Sequence, residues 1–187
     1  MQIVRQTTDL EVLEHWRQVE NHTSLTFRTD IRDHLPSNIL WYLCEFQQCD
    51  IDRLFVISSD DWAGISEGSF KVTDVARRLT DLQSSDEETK RIAQDIVNKI
   101  AYIESGGPLD TLLIAITDSP SLYGPFTLIE GNKRAVAFAH RNTLVGCSFF
   151  VGYSPCVVNC LWTRHTYRDF LSKHRSCQHN NRDDPAG

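Results

Sequence analysis

The first fifty residues carry two apolar patterns with helical spacing, each behind a residue suited to cap a helix. The first pattern is Val12, Trp16 and Val19 after Asp9, and the second is Ile39, Leu43 and Phe46 after Ser37. We therefore predict that residues 1–52 form an N-terminal helical extension.

From residue 54 onwards, short apolar runs are interspersed with helical patterns. Strands are predicted at 54–57, 112–117, 126–130 and 144–153. Helices are predicted at 72–82, between Ser85 and Gly106 with Ser85 and Glu88 as a capping box, and at 132–141. The segments 62–69 and 118–125 are predicted as loops. This order lacks strict βαβ alternation, which favours an α+β fold with a small mixed sheet and packed helices. The α+β domain would span 53–175, followed by a polar, flexible tail at 176–187.

Composition and charge narrow the class of protein. The 187 residues carry a net charge of −6, so the chain has no general basic surface for nucleic acid. No apolar run approaches the roughly 20 residues that span a bilayer, and the N-terminus lacks the pattern of a secretory signal. Six cysteines without a signal are typical of reduced thiols. We expect a cytoplasmic protein without a membrane partner.

One segment combines features that suit an anion. A predicted strand ends at Glu130, Gly131 breaks the chain direction, and a helix opens with Asn132, Lys133 and Arg134. Cations in a first helical turn oppose the helix dipole, at a cost of ~0.3–1 kcal/mol when exposed. A phosphate bound to the turn would remove this cost, and glycine allows the backbone to approach it closely. The alternative is an ordinary turn with Asn132 as N-cap and both cations in solvent.

The order of elements around this turn resembles the superfamily that contains the partition protein ParB and sulfiredoxin. Its members place an acidic or small residue, glycine, two further residues and arginine between a strand and a helix, as in 130–134 here. The resemblance covers about residues 53–153. It implies that the backbone at Gly131–Lys133 and the side chain of Arg134 hold nucleotide phosphates. ATP or ADP with Mg²⁺ would then be the cofactors.

Departures from the superfamily pattern favour one branch of it. Sulfiredoxin has Gly-Cys-His-Arg in the turn, whereas this chain has Asn132 and Lys133, so sulfiredoxin activity is not expected. ParB continues into a helix-turn-helix domain, for which the remaining sequence is too short. The free serine kinase of the superfamily has an essential carboxylate just after its first strand. Asp60 and Asp61 occupy that place here, with Glu67 downstream.

The resemblance implies a nucleotide-dependent phosphotransferase that acts on a small-molecule substrate with a hydroxyl group. Phosphoryl transfer needs charge neutralisation and a base near the acceptor, and Asp60, Asp61, Glu67 and Glu130 are the candidates for base or metal ligand. Two alternatives stay open for these acids: a solvated turn at 60–61, and an ion pair of Glu130 with Arg134 one helical turn on. Two other functions also stay open, namely a nucleotide-gated module that binds protein or nucleic acid, and a ParB-like nuclease.

A second group of candidate ligands lies near the C-terminus. Cys156, Cys160 and His165 have loose zinc-ligand spacing. There is no Cys-x2-Cys pair, however, and Val157 and Val158 between the thiols favour burial in a core. We therefore predict structural thiols and assign no metal ligand, and zinc binding by Cys156, Cys160 and His165 stays open as the alternative.

Overall fold

A six-stranded mixed sheet with helices packed against it forms the protein in a computed structural model, which describes residues 1–20, 31–80, 86–106 and 112–167. The strands are β1 (Gln2–Thr7), β2 (Leu40–Glu45), β3 (Leu54–Phe55), β4 (Leu113–Thr117), β5 (Phe126–Glu130) and β6 (Ser148–Tyr153). They lie side by side in the order β1-β2-β6-β4-β5-β3. The predicted α+β class with a small mixed sheet is confirmed.

The helices are α1 (Asp9–Glu20), α2 (Asp60–Ser66), α3 (Val72–Arg78), α4 (Glu87–Glu104) and α5 (Asn132–His140). Short 3₁₀ helices lie at Gln48–Arg53, Pro155–Asn159 and Leu161–Thr163. The apolar stripe predicted for α4 is present, since Ile92 and Ile96 are buried and Ile100 is half-buried. Helix α5 packs against both α3 and α4. Among the described helices, none combines the length and apolarity needed to cross a membrane.

Strands β4 and β5 form the buried centre of the sheet. Every residue of both strands is buried, and such continuous burial requires cover on both faces. Strand β4 pairs in parallel with β6 and antiparallel with β5. Because β5 runs straight into the turn before α5, the sheet centre positions the start of that helix.

The N-terminal part contributes strands as well as a helix. The helix predicted after Ser37 is wrong: the chain forms β2 there, which pairs with β1 and β6. Residues 39–46 are almost entirely apolar, so a helical stripe and a strand fit them equally, and pairing with β6 decides. Strand β1 was not predicted, because most of it is exposed at the sheet edge and lacks an apolar face. One sheet therefore includes residues on both sides of position 52.

Helix α2 replaces part of the loop predicted at 62–69. Its Trp62 and Ile65 are buried, and Gly64 faces α4 so closely that an added Cβ would lie 2.9 Å from Thr89 Oγ1. The glycine that suggested a loop is thus a close-packing position within a helix. The predicted cap of α4 also changes: Asp86 is the N-cap, and its carboxylate accepts from the Thr89 N–H (3.0 Å).

Other boundaries follow the predictions more closely. Helix α5 and strands β4 and β5 lie within one residue of the predicted ranges, whereas β6 begins four residues later, after a turn at 145–146. Ser85 and the tail predicted at 176–187 lie outside the described residues.

The segment after β6 is hydrogen-bonded to the residues that follow the edge strand β3. The Ser58 N–H donates to the carbonyl of Trp162 (2.9 Å), and the His165 N–H donates to Ser58 Oγ (3.1 Å). The buried hydroxyl of Thr127 in β5 donates to that of Thr166 (2.7 Å). Residues late in the chain therefore hold the segment that follows β3.

Candidate functional site

Gly131 makes the turn from β5 into α5. It has φ 84° and ψ 19°, the left-handed conformation that glycine adopts without strain. A Cβ added there would also clash with Leu113 Cδ2 and lie 3.1 Å from the Arg134 guanidinium. Conformation and space thus both require glycine at this position, as the sequence predicted for the break.

The side chain of Asn132 joins this turn to the end of β3. Its Oδ1 accepts a hydrogen bond from the backbone N–H of Ile57 (2.9 Å), and Ile57 is buried. The alternative in which Asn132 is the N-cap does not hold, because Gly131 is the cap residue and no side chain caps α5. The side-chain amide of Asn132 instead holds the segment that follows β3 against the turn.

The predicted acids Asp60 and Asp61 lie just beyond this anchored segment. They form the first turn of α2, three and four residues after Ile57, and both are exposed. Glu67 lies at the opposite end of α2, with φ 48°, and forms an ion pair with Arg78. Asp60 and Asp61 therefore follow, within four residues along the chain, the residue that Asn132 binds, whereas Glu67 lies at the other end of α2.

Both predicted phosphate ligands with cationic side chains have carboxylate partners. Lys133 forms an ion pair with Asp95 of α4. Arg134 pairs with Glu130 at 3.3 Å, with only 13% and 8% of their side chains exposed. The ion pair considered for Glu130 from its spacing is thus present, and it gives this acid the role of holding Arg134.

The helix start still keeps features that favour an anion. Within the described residues, the backbone N–H groups of Asn132 and Lys133 have no hydrogen-bond acceptor, as expected for the first turn of a helix. The positive end of the dipole of α5 lies at the same place. An oxyanion at the turn would accept from these N–H groups and from Arg134, whose five N–H donors can contact a carboxylate and a phosphate together.

Two further charged groups lie near the turn, on elements that the sequence did not connect to it. Lys99 of α4 is half-buried, and its pKa is lowered by burial and then by the positive charges of Arg134 and Lys133. His15 of α1 is half-buried, and its Nε2 donates to the carbonyl of Leu112 (3.1 Å). Burial lowers the pKa of His15, and the charge of Arg134 lowers it further.

The sequence carried no signal for His15 and a misleading one for Lys99. Asp95 and Lys99 are four residues apart on one helix, a spacing that predicts an ion pair between them. In the structure Asp95 pairs with Lys133 instead, so a contact between helices replaces one within a helix.

Cys156 and Cys160 are not arranged as metal ligands among the residues that the structure describes. Cys156 is exposed, whereas Cys160 is buried and its Sγ donates to the carbonyl of His34 (3.5 Å). His165 stacks on the ring of Phe70, with centroids 4.4 Å apart. In the part of the chain that the structure describes, no three His, Cys, Asp or Glu side chains group as ligands for an ion.

Comparisons with known proteins give no match: no protein-family model, no curated protein and no solved structure is significantly similar to the chain. The function is therefore argued from the geometry of the turn and of the residues around it.

Replacing Asn132 by Ala should destabilise the fold. The Ile57 N–H would lose its acceptor while remaining buried, at a cost of about 1–3 kcal/mol. Urea unfolding measures this loss. Asn98→Ala is the matched control, because Asn98 is exposed and accepts only from Gln94 on the same helix, so its effect should stay within about 0.5 kcal/mol. Equal midpoints and slopes for both variants would contradict the anchoring role of Asn132.

His15 should titrate below its ordinary pKa of 6.5 in the native protein. As the pH falls below 6.5, the unfolded chain takes up the proton before the native protein does. Folding stability should therefore decrease until the native pKa is passed, and no such loss should occur above 6.5. Ring resonances of His15 in an NMR titration give the native pKa, with His15→Gln used for assignment. A midpoint at or above 6.5 would contradict the buried, cation-facing environment.

Proposed function

We propose that the protein is a nucleotide-dependent phosphotransferase, which binds ATP or ADP at the turn 131–134 and transfers phosphate to a small hydroxyl-bearing molecule. The observation that carries the proposal is the hydrogen bond from the Ile57 N–H to Asn132 Oδ1. It ties the turn suited to phosphate to the segment that leads into two exposed carboxylates. A phosphotransferase needs these two parts close together.

Each residue of the turn has a distinct task in this proposal. The N–H groups of Asn132 and Lys133 contact phosphate oxygens, and the guanidinium of Arg134 neutralises charge that develops during transfer. Glu130 keeps the guanidinium in place through its ion pair. Gly131 supplies the left-handed conformation that turns the chain from β5 into α5.

Asp60 and Asp61 are the candidates for the base that accepts the proton of the acceptor hydroxyl. Because they are exposed at the start of α2, a substrate can reach them from solvent. Two exposed carboxylates also fit Mg²⁺, which takes oxygen ligands from one or two acids together with substrate phosphates. Bound there, Mg²⁺ would supply neutralisation of phosphate charge. Glu67 is not assigned a task, since Arg78 holds it at the other end of the helix.

Nucleotide binding should depend on Arg134. Calorimetric titration with ATP, ADP, CTP and GTP in the presence of Mg²⁺ measures it. Arg134→Lys keeps the partner of Glu130 charged but removes the planar fork, so affinity should fall about tenfold or more. Arg141→Lys is the matched control just after the same helix, where Arg141 pairs with Glu104 in solvent, and it should bind like the wild type. Equal affinity for both variants would place the phosphates elsewhere.

Transfer of phosphate to the acceptor should depend on the acids at the start of α2. With ATP and a series of small hydroxy acids and hydroxyl amino acids, ³¹P NMR should show a new phosphate ester. Replacing the base, by Asp60→Asn or Asp61→Asn, should slow its formation about 10²- to 10⁴-fold. Glu67→Gln should keep the rate. Release of inorganic phosphate alone, or full transfer by both asparagine variants, would contradict the proposed reaction.

A further inference from the structure

Strand β1 lies at the edge of the sheet, where one of its sides is open to a further strand. It pairs with β2 and, among the described strands, with no other. Residues 2–6 are exposed, and Ile3 and Val4 keep 51% and 49% of their surface in solvent. Such an edge leaves a row of backbone N–H and C=O groups with which β1 of a second copy can pair. Two adjacent apolar residues on it add to the tendency to associate.

An extra residue interrupts the ladder in the middle of β1. Ile3 lies opposite Cys44 and Arg5 lies opposite Leu43, so Val4 has no partner residue in β2. A bulge of this kind bends the strand and increases its local twist. The bend makes the edge a poorer template for a further strand, and bulges are one of the means by which sheet edges avoid such pairing.

Directly after the bulge, α1 holds the side chain of Arg5 beside the strand. The guanidinium forms an ion pair with Glu11 through two hydrogen bonds, of which the one from Nη1 to Oε2 is 2.9 Å long. The hydroxyl of Thr7 donates to the same carboxylate, and Arg5 Nη1 also donates to the carbonyl of Gln6 (3.5 Å). Hydrogen bonds from Arg5 and Thr7 lower the pKa of Glu11 to about 2, so the pair is charged at neutral pH. A charged group is therefore fixed against the backbone of β1.

A strand that pairs with this edge has to cover the ion pair. Arg5 and Glu11 keep 47% and 38% of their side chains exposed, and pairing at the edge removes water from both. This loss is costly, because the attraction between two charges often fails to compensate their desolvation. Arg5 also lies near the middle of Gln2–Thr7. An antiparallel pairing of β1 from two copies therefore brings two cations close together, and like charges on neighbouring strands destabilise the pairing.

We infer that the ion pair of Arg5 with Glu11 protects the edge strand β1 from pairing with a second copy of the chain. Arg5 supplies the charge at the edge, Glu11 holds it there, and the bulge at Val4 bends the strand beside it. The net charge of −6 adds a repulsion between copies, but that repulsion acts over the whole surface and is not directed at β1. The inference is independent of the proposed function, because β1 contains none of the residues assigned to phosphate transfer.

Sedimentation velocity of the full chain at increasing protein concentration tests the inference. Arg5→Val removes the charge and extends the apolar run of Ile3 and Val4. Its self-association should be about tenfold stronger than that of the wild type, or more, because a two-fold pairing contains the substitution twice. Arg5→Lys keeps a cation at the edge and should sediment like the wild type. Arg17→Val is the matched control, since Arg17 is exposed on α1 and its loss changes the net charge equally, and it should also sediment like the wild type.

A second substitution locates the association on the molecule. Adding Ile3→Lys to Arg5→Val returns a cation to the exposed edge, so the double variant should sediment like the wild type. Equal association of wild type and Arg5→Val overturns the inference. Association that Ile3→Lys leaves unchanged, or that Arg17→Val shows as strongly, also overturns it, because a surface other than β1 is then responsible. Arg5→Thr provides a second neutral variant that should associate more than the wild type, and thermal unfolding of each variant confirms that the associating protein is folded.

Discussion

One hydrogen bond, from the backbone of Ile57 to the side chain of Asn132, determines how the candidate site is assembled. Strand β3 is two residues long and pairs only with β5 among the strands, so the ladder itself holds little of the chain that follows. Asn132 continues the attachment beyond the end of the ladder. Because the same residue opens α5, its side chain links the segment that leads into the acids at 60–61 to the turn 131–134, together with the bonds of Ser58 to Trp162 and His165.

The cationic side chains that open α5 are held in ion pairs. The chain as a whole carries −6, and Lys133 and Arg134 pair with Asp95 and Glu130. The pair of Arg134 with Glu130 is nearly buried, and removing one partner of such a pair typically costs about 3–5 kcal/mol because the other is left uncompensated. That pair is therefore part of the fold as well as of the site.

Local patterns predicted those parts of the molecule in which local and tertiary preferences agree. The turn at Gly131 and helix α5 were predictable, because a left-handed glycine and a helical pattern suffice to define them. The run at 39–46 was not, because an almost uniformly apolar segment carries no period and its partner strand lies a hundred residues later. The ion pair of Glu130 and Arg134 followed from spacing, but the contacts of Asn132 with Ile57 and of Lys133 with Asp95 did not. Both depend on which elements the sheet and α4 bring beside the turn, and spacing along the chain does not contain that information.

The hydrogen bonds between the residues after β3 and residues late in the chain also affect when the candidate site forms. Ile57 and Asn132 are 75 residues apart, and Ser58 and His165 are 107 residues apart. Contacts of such separation form late in folding, because the entropy of closing long loops is lost before the contacts repay it. During synthesis from the N-terminus, α2 and its acids emerge long before the turn 131–134. The candidate site is thus completed only when nearly all of the described chain has left the ribosome. A shorter chain contains the acids of α2 but lacks the later residues that hold the segment before them in place.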